Sequence, residues 1–428
     1  MADLLITLTR SAAAVIRRGH HGWGHLQLKI SDPDKAGGVC SVSYADEVKV
    51  AVEVGPPGHF LRSCDDYPHA CWYQVSAALN MQWYFAGRKR AGISFDGFRR
   101  AIRSGFIQPG NGSYLAVTYA PNADTEYPEV PVPEFALWRV TPDGAVPLDI
   151  EVEPDEHGIS ALAPHWPVAD LADRRVLVVG VGSIGGAAAQ SLATYGVGHL
   201  DLLDPDRLRW HNLPRHVSGD RHVGRFKVDA LRYDIEALRP DTKVEAHRLN
   251  VVVNADQVRD LLEQVDLVVC ATDGVESRQV VSHLSRRAGR TAVLACVLEN
   301  GRLGEVLRLR PWRDHGCLAC QRRALFEAGG LRPEPQLDAE YGTGTTHRPM
   351  TAVGADLHLI GQLAAKVAVA TLLEPYWHAD QVLGGEHAVM ALRPQPGWTP
   401  PFDVRRLGEV KWLPAGPPTP ECPTCEPP

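Results

Sequence analysis

The sequence predicts an α/β protein: a doubly wound, mostly parallel sheet in the C-terminal part, preceded by a smaller α+β domain. Three observations predict it. Gly180, Gly182 and Gly185 stand in G-x-G-x-x-G spacing directly after the apolar run from Arg175. Strand-like and helix-like segments alternate from there to Leu298, the rhythm of a parallel sheet with crossover helices. Between Tyr119 and Pro164 the chain is rich in Pro, Asp and Glu, which fits edge strands, turns and a linker and places a domain boundary near residue 165.

At 428 residues the chain exceeds a single compact core, so two domains are expected, residues 1–165 and 166–428. Hydrophobic residues at 44% and charged ones at 22% are those of a soluble globular protein. A net charge of −7 argues against nucleic acid or an anionic membrane as the main partner. No window of eighteen uninterrupted apolar residues marks a spanning helix. The first segment, MADLLITLTRSAAAVIRRGHH, is broken by polar residues and reads as strand then helix rather than a signal peptide. Nine cysteines, an odd count, point to a reducing cytoplasmic setting with thiols or metal sites.

In the first 165 residues, Val48 to Val54 reads as a strand and Ala70 to Phe85 as a helix with an aromatic core face. His20, His21 and His25 lack an acid or thiol at ligand spacing and read as a solvated turn. Cys64, beside Asp65 and Asp66, has a disfavoured thiolate, and Cys71 reads as buried. No His-x-His followed by Ser and Asp marks a zinc isopeptidase.

In the second part, Arg175 to Gly182 reads as a buried parallel strand, with a helix from about Ile184. Lys227 to Leu238, Ala255 to Gln264, Glu276 to Ala288 and Val353 to Leu373 read as helices. Lys243 to Val251, Asp266 to Asp273 and Thr291 to Leu298 read as strands. Asp273 thus falls at a strand's carboxyl end, where ligands of such sheets sit. The glycines alone give a Rossmann-like dinucleotide fingerprint, with one acidic residue expected about twenty positions on. Here two follow, Asp204 and Asp206, and then Asn212, Arg215 and Lys227. An NAD(P)-dependent oxidoreductase has no need of that amide and those cations; an enzyme holding a triphosphate while pyrophosphate leaves does.

Gly180-x-Gly182-x-x-Gly185, Asp204-x-Asp206, Asn212-Leu213-Pro214-Arg215, Gly224-Arg225-Phe226-Lys227, Thr272-Asp273 and two C-x-x-C pairs occur in this order. The set resembles the ubiquitin-activating-enzyme-like adenylyltransferases, the ThiF/MoeB/HesA group, over about residues 170 to 428. The resemblance implies that the glycine turn lies on the ATP phosphates and that Asp204 holds the ribose. It implies that Asn212, Arg215 and Lys227 hold the triphosphate and Asp273 holds Mg²⁺. The implied reaction joins the C-terminal carboxylate of a ubiquitin-like protein or peptide to AMP and releases pyrophosphate. The same resemblance implies a homodimer.

Cys317, Cys320, Cys422 and Cys425 match a structural four-thiolate zinc site that would staple the Pro-rich tail to the sheet domain. Three features depart from the family. Residues 321 to 350 contain no cysteine to take the acyl group, so either the product leaves as the adenylate or a thiol elsewhere, Cys64 or Cys71, takes it. His165 to Arg174 does not match the Arg-rich motif that reaches a partner's nucleotide. His216 replaces the usual Gln, as in bacterial members with an extra N-terminal domain. For residues 1–165 the resemblance leaves three readings open: a conjugating-enzyme-like, an isopeptidase-like or a leader-peptide-binding module. The absence of an evident catalytic set favours a binding or degenerate module. The alternatives for the whole chain are an NAD(P)-dependent oxidoreductase and a non-catalytic nucleotide-binding scaffold.

Overall fold

The computed structural model describes residues 4–45, 52–54, 65–89, 91–154, 158–327 and 352–426. It divides into two compact units, Met1–Glu156 and His157–Pro428.

The first unit contains β1 (Leu5–Leu8), α1 (Arg10–Arg17), β2 (Trp23–Ser31), β3 (Ala36–Val42), β4 (Val52–Glu53), β5 (Asp65–Gln74), α2 (Ala77–Lys89), β6 (Ile93–Ser94) and α3 (Phe95–Ala101). It continues with β7 (Tyr114–Tyr119), α4 (Ala123–Glu126), β8 (Phe135–Thr141) and β9 (Gly144–Val152). Seven strands, in the order β1-β3-β2-β5-β7-β8-β9, close into a ring because β1 pairs in parallel with both β3 and β9. Successive strand residues point to opposite faces. Trp72, Leu115, Val117 and Leu137 accordingly join one core, while Cys71, Tyr73, Ala116 and Trp138 join another with Phe98 of α3.

That alternation corrects two expectations. Ala70–Gln74 is the end of a strand, and the helix starts only at Ala77. Burial on both faces made this strand's continuous aromatic run look helical. The Pro- and acid-rich stretch is no linker in its middle, since Phe135–Thr141 and Gly144–Val152 form a buried hairpin of the ring. Of the expected strand Val48 to Val54, Val52 and Glu53 are strand; residues 48–51 lie outside the described residues.

The second unit starts with α5 (Val168–Ala172), β10 (Arg175–Val179), α6 (Ser183–Tyr195), β11 (His199–Leu203), α7 (Lys227–Leu238), β12 (Lys243–His247), α8 (Ala255–Gln264) and β13 (Leu267–Cys270). Next come α9 (Val275–Arg287), β14 (Thr291–Leu298), β15 (Leu303–Leu309), α10 (Leu318–Glu327), α11 (Gly354–Leu373), β16 (His387–Ala391) and β17 (Val410–Leu413). The strand order is β12-β11-β10-β13-β14-β15-β16-β17. The first five run parallel and the last three antiparallel, so the sheet is mixed rather than mostly parallel throughout. The antiparallel end follows from a tight return at Glu299–Gly301, all with positive φ, which leaves no room for a crossover helix.

Val176 and Val178 of β10 face a core shared with α6, α7 and α11, while Leu177 and Val179 face one shared with α8 and α9. Helices on both faces bury both sides of the sheet, which is why its strands read as unbroken apolar runs. Among the described residues one helix, Gly354–Tyr376, is long and apolar enough to cross a membrane. Of its most apolar window 61% is buried, with Leu357, Ile360, Ala364 and Ala368 in the core against α6.

Candidate functional site

The carboxyl ends of β10, β11 and β13 converge on the glycine turn. Gly180 has φ +80°, and a Cβ there would meet Thr272 Cγ2 at 2.8 Å. A Cβ on Gly185 would meet the Gly180 carbonyl oxygen at 1.8 Å, so this position packs the helix onto the strand. A Cβ on Gly182 would meet nothing within 4 Å. Gly182 is the N-cap of α6 and provides no side-chain cap, so the first N–H groups of the helix open into space as an anion site.

Two side chains hold this turn from below. Asp204, buried at the end of β11, accepts the Val181 N–H at 3.0 Å and the Asp206 N–H at 2.9 Å. His216, also buried, sits 3.0 Å from the Val181 carbonyl through Nε2 and accepts the Ser218 N–H at Nδ1. The two contacts fix the tautomer: Nε2 carries the proton and donates it. Burial pushes the imidazole pKa down to about 4, against the hydrogen bond to Val181, so the ring stays neutral in ordinary buffers.

Lys227, the first residue of α7, reaches back with its Nζ 2.8 Å from Asp206 and 4.0 Å from Asp204. Burial opposes its charge, but Asp204, Asp206 and Asp273 together hold the ammonium pKa above its ordinary value. Burial also pushes the Asp204 carboxyl up, with Lys227 and two backbone N–H groups pulling against it. Both values move up, which favours the charged lysine and disfavours the charged carboxylate; the ammonium stays charged because Asp204, Asp206 and Asp273 all act on it.

Asn212 turns out to have a structural use. Its Oδ1 accepts the Arg209 N–H at 2.9 Å and closes the short turn Trp210–Asn212 that presents Arg215. The half-buried Arg215 guanidinium makes no ion pair among the described residues. Asp273 is exposed, one strand over, on a turn that buried Arg278 secures by donating to the Gly274 carbonyl at 3.2 Å and the Asp273 carbonyl at 3.3 Å. Sequence reasoning missed Arg278 and assigned no task to His216. Neither has a spacing signal, because both act on backbone groups brought near only by the fold.

The four cysteines also come together. Cys317 Sγ lies 3.7 Å from Cys320 and 3.6 Å from Cys422, and Cys320 lies 3.7 Å from Cys425. Four thiolates at about 2.3 Å from one zinc ion stand roughly 3.8 Å apart at the corners of a tetrahedron, so the donor set fits. Backbone N–H groups of Cys317 and Thr419 already point at Cys425 and Cys320, both at 3.3 Å, as donors to thiolates do. Cys71 is no acyl acceptor: it is fully buried, and burial pushes its thiol up to about 12. Cys64 lies outside the described residues.

Fold and placement together define an α/β domain of Rossmann type whose strand ends gather a bare helix N-terminus, Lys227 and three carboxylates. The sequence profile of the ThiF family matches residues 161–389, more than half of the chain, and the chain belongs to that family. It is 30% identical over 160 residues to ubiquitin-like modifier-activating enzyme 5 of Drosophila simulans, covering 35% of this chain and 39% of the relative. The Xenopus laevis enzyme of that name is 28% identical over 155 residues, covering 34% and 39%. The chain thus spans about two fifths of the length of the curated relatives it matches. Among solved structures, E. coli MccB with AMPCPP and MccA is similar at 18% identity and a TM-score of 0.45, covering 60% of this chain and 68% of that one.

Proposed function

We propose that this protein adenylates the C-terminal carboxylate of a ubiquitin-like protein or a small peptide with ATP. The observation that carries the proposal is the bare N-terminus of α6 at Gly182 beside a lysine ringed by Asp204, Asp206 and Asp273. Membership of the ThiF family supports it.

In this reading the phosphates lie against the glycine turn, and the ribose lies on the side of Asp204. Lys227 and Arg215 neutralise the triphosphate. A carboxylate oxygen of the substrate attacks the α-phosphorus in line, the new P–O bond forms, and the bond to the bridging oxygen breaks with its electron pair leaving on pyrophosphate. The protein positions the two reactants and stabilises charge that grows on the leaving group. Asp273 would hold Mg²⁺, which when bound supplies positive charge to the phosphates. The four cysteines would hold a structural zinc ion, since four protein ligands leave no open position. The protein works as a homodimer in the cytoplasm, and residues 1–165 serve as a binding module for the substrate.

The test is ATP–pyrophosphate exchange, run with each small protein encoded beside the gene as carboxylate donor. Wild type should exchange with one of them, and Asp273→Ala, folded by circular dichroism, should lose exchange by about a hundredfold or more. Unchanged exchange in the variant overturns the assignment.

A further inference from the structure

On the far side of the loop that carries Lys227 lies a cavity of about 470 Å³, within the range of roughly 300–1,000 Å³ typical of ligand clefts. Its walls carry four arginines, Arg207, Arg225, Arg232 and Arg248, and two carboxylates, Asp229 and Glu236, around Phe226 and Tyr233. A two-strand bridge pairs Arg207 with Phe226, and the Lys227 N–H donates to the Asp206 carbonyl at 2.8 Å. Neighbouring residues of a strand point to opposite sides. One bridge therefore sends Asp206 and Lys227 to the nucleotide side, and Arg207 and Phe226 into the groove.

The guanidiniums are arranged rather than merely near. Arg207 lies over the Phe226 ring at 3.9 Å and donates to the Gly224 carbonyl, and Arg248 lies over the same ring at 4.5 Å. Stacking holds both planes in place; Arg248 gives its Nε and Nη2 edge to Asp229, while Arg207 spends one N–H on the Gly224 carbonyl and keeps others for an oxygen acceptor. Arg248 is paired with Asp229 at 2.8 Å, and Arg232 touches Glu236 only at 4.0 Å. Arg207 and Arg225 make no ion pair among the described residues and are exposed. The groove is thus a cluster of excess positive charge on a chain whose net charge is −7.

Resting on the adenylation reading, we propose that this groove docks an acidic segment of the protein or peptide whose carboxylate is activated. Carboxylates match the paired N–H edges of the guanidiniums, and the stacked rings accept the apolar stem of a Glu or an aromatic neighbour. A nucleic acid fits less well. Its charge repeats every few ångströms along a rod, and beyond this short groove it would meet a net acidic surface. Docking beside residue 226 also places the bound chain one residue from Lys227, so the groove and the phosphate side share a backbone.

The probe is a fluorescein-labelled hexaglutamate peptide, followed by anisotropy on the full chain. Wild type should bind it, with affinity falling as salt rises. Arg225→Glu/Arg232→Glu should weaken binding about tenfold or more, and Arg225→Lys/Arg232→Lys by only about twofold. ATP binding, measured in parallel, should be the same in all three and certifies that they are folded. Equal peptide binding by the Glu variant, no binding by wild type, or tighter binding of oligothymidylate in the same groove overturns the proposal. Exchange assays separate the two ideas. Peptide binding that depends on the groove without any exchange faults the adenylation reading and leaves the docking of an acidic chain standing. Exchange with groove-independent peptide binding faults the groove alone.

Discussion

The two units solve the same packing problem differently. Each buries both faces of one sheet, yet the first closes its strands into a ring and the second leaves them open. Closure removes sheet edges and fills the interior with side chains such as Trp72 and Phe135. The open parallel sheet instead aims its strand ends one way, and there Asp204, Asp273 and the glycine turn meet. Polar groups with ligand-binding geometry therefore collect in the second unit.

Removing the zinc proposed for Cys317, Cys320, Cys422 and Cys425 of the second unit should give the largest effect. Four-thiolate zinc contributes roughly 10–16 kcal/mol of apparent folding free energy in zinc-finger peptides. This unit has a large core of its own, so only part of it should depend on the ion: the helix Leu318–Glu327 and the tail to Cys425. Metal analysis should find one zinc per chain, lost in Cys317→Ser/Cys422→Ser. Hydrogen exchange should then rise in those two segments and stay unchanged in the ring of the first unit. Exchange that rises equally in both units would erase the distinction.

Trp138→Ala probes the other side. Trp138 is fully buried, packs edge-on against Phe98 at 5.7 Å and donates to the Thr118 hydroxyl at 3.2 Å. Truncation leaves a cavity and should cost about 3–5 kcal/mol. Protection of strands Tyr114–Tyr119 and Phe135–Thr141 should fall, while ATP affinity in the second unit holds. A parallel loss of ATP binding would show that the units do not stand separately.

The same difference explains what the sequence made legible. Four of the five parallel strands are followed by a helix, and Thr291–Leu298 by the tight return at Glu299–Gly301, so the pattern changes at each boundary. Lys227–Leu238, Ala255–Gln264 and Thr291–Leu298 were therefore readable to the residue. In the ring, β5 runs almost directly into α2, and residues buried on both strand faces erase the alternation that marks a strand. At the site, charge-bearing residues were legible because the chemistry limits their type and order. Cys317 with Cys320 and Cys422 with Cys425 were legible through their pairing. His216 and Arg278 were not, because their partners are the carbonyls of Val181, Asp273 and Gly274, which any sequence has.

His216 gives the smallest and most specific test. Its pKa lies near 4 when folded, against an ordinary 6.5. Between those values the unfolded chain binds more protons than the folded one, so stability falls as pH drops through this window and is fully present above it. The whole difference corresponds to roughly 3 kcal/mol, of which about 2 should be lost near pH 5. His216→Gln can donate to the Val181 carbonyl and accept the Ser218 N–H without titrating. Its urea midpoint should match wild type above about pH 7 and show a shallower decline on acidification. ATP affinity should follow the same pattern, because Val181, which His216 holds, lies between Gly180 and Gly182 of the turn proposed to hold the phosphates. Equal acid sensitivity in both proteins would place the titrating group elsewhere and leave the imidazole as mere filling.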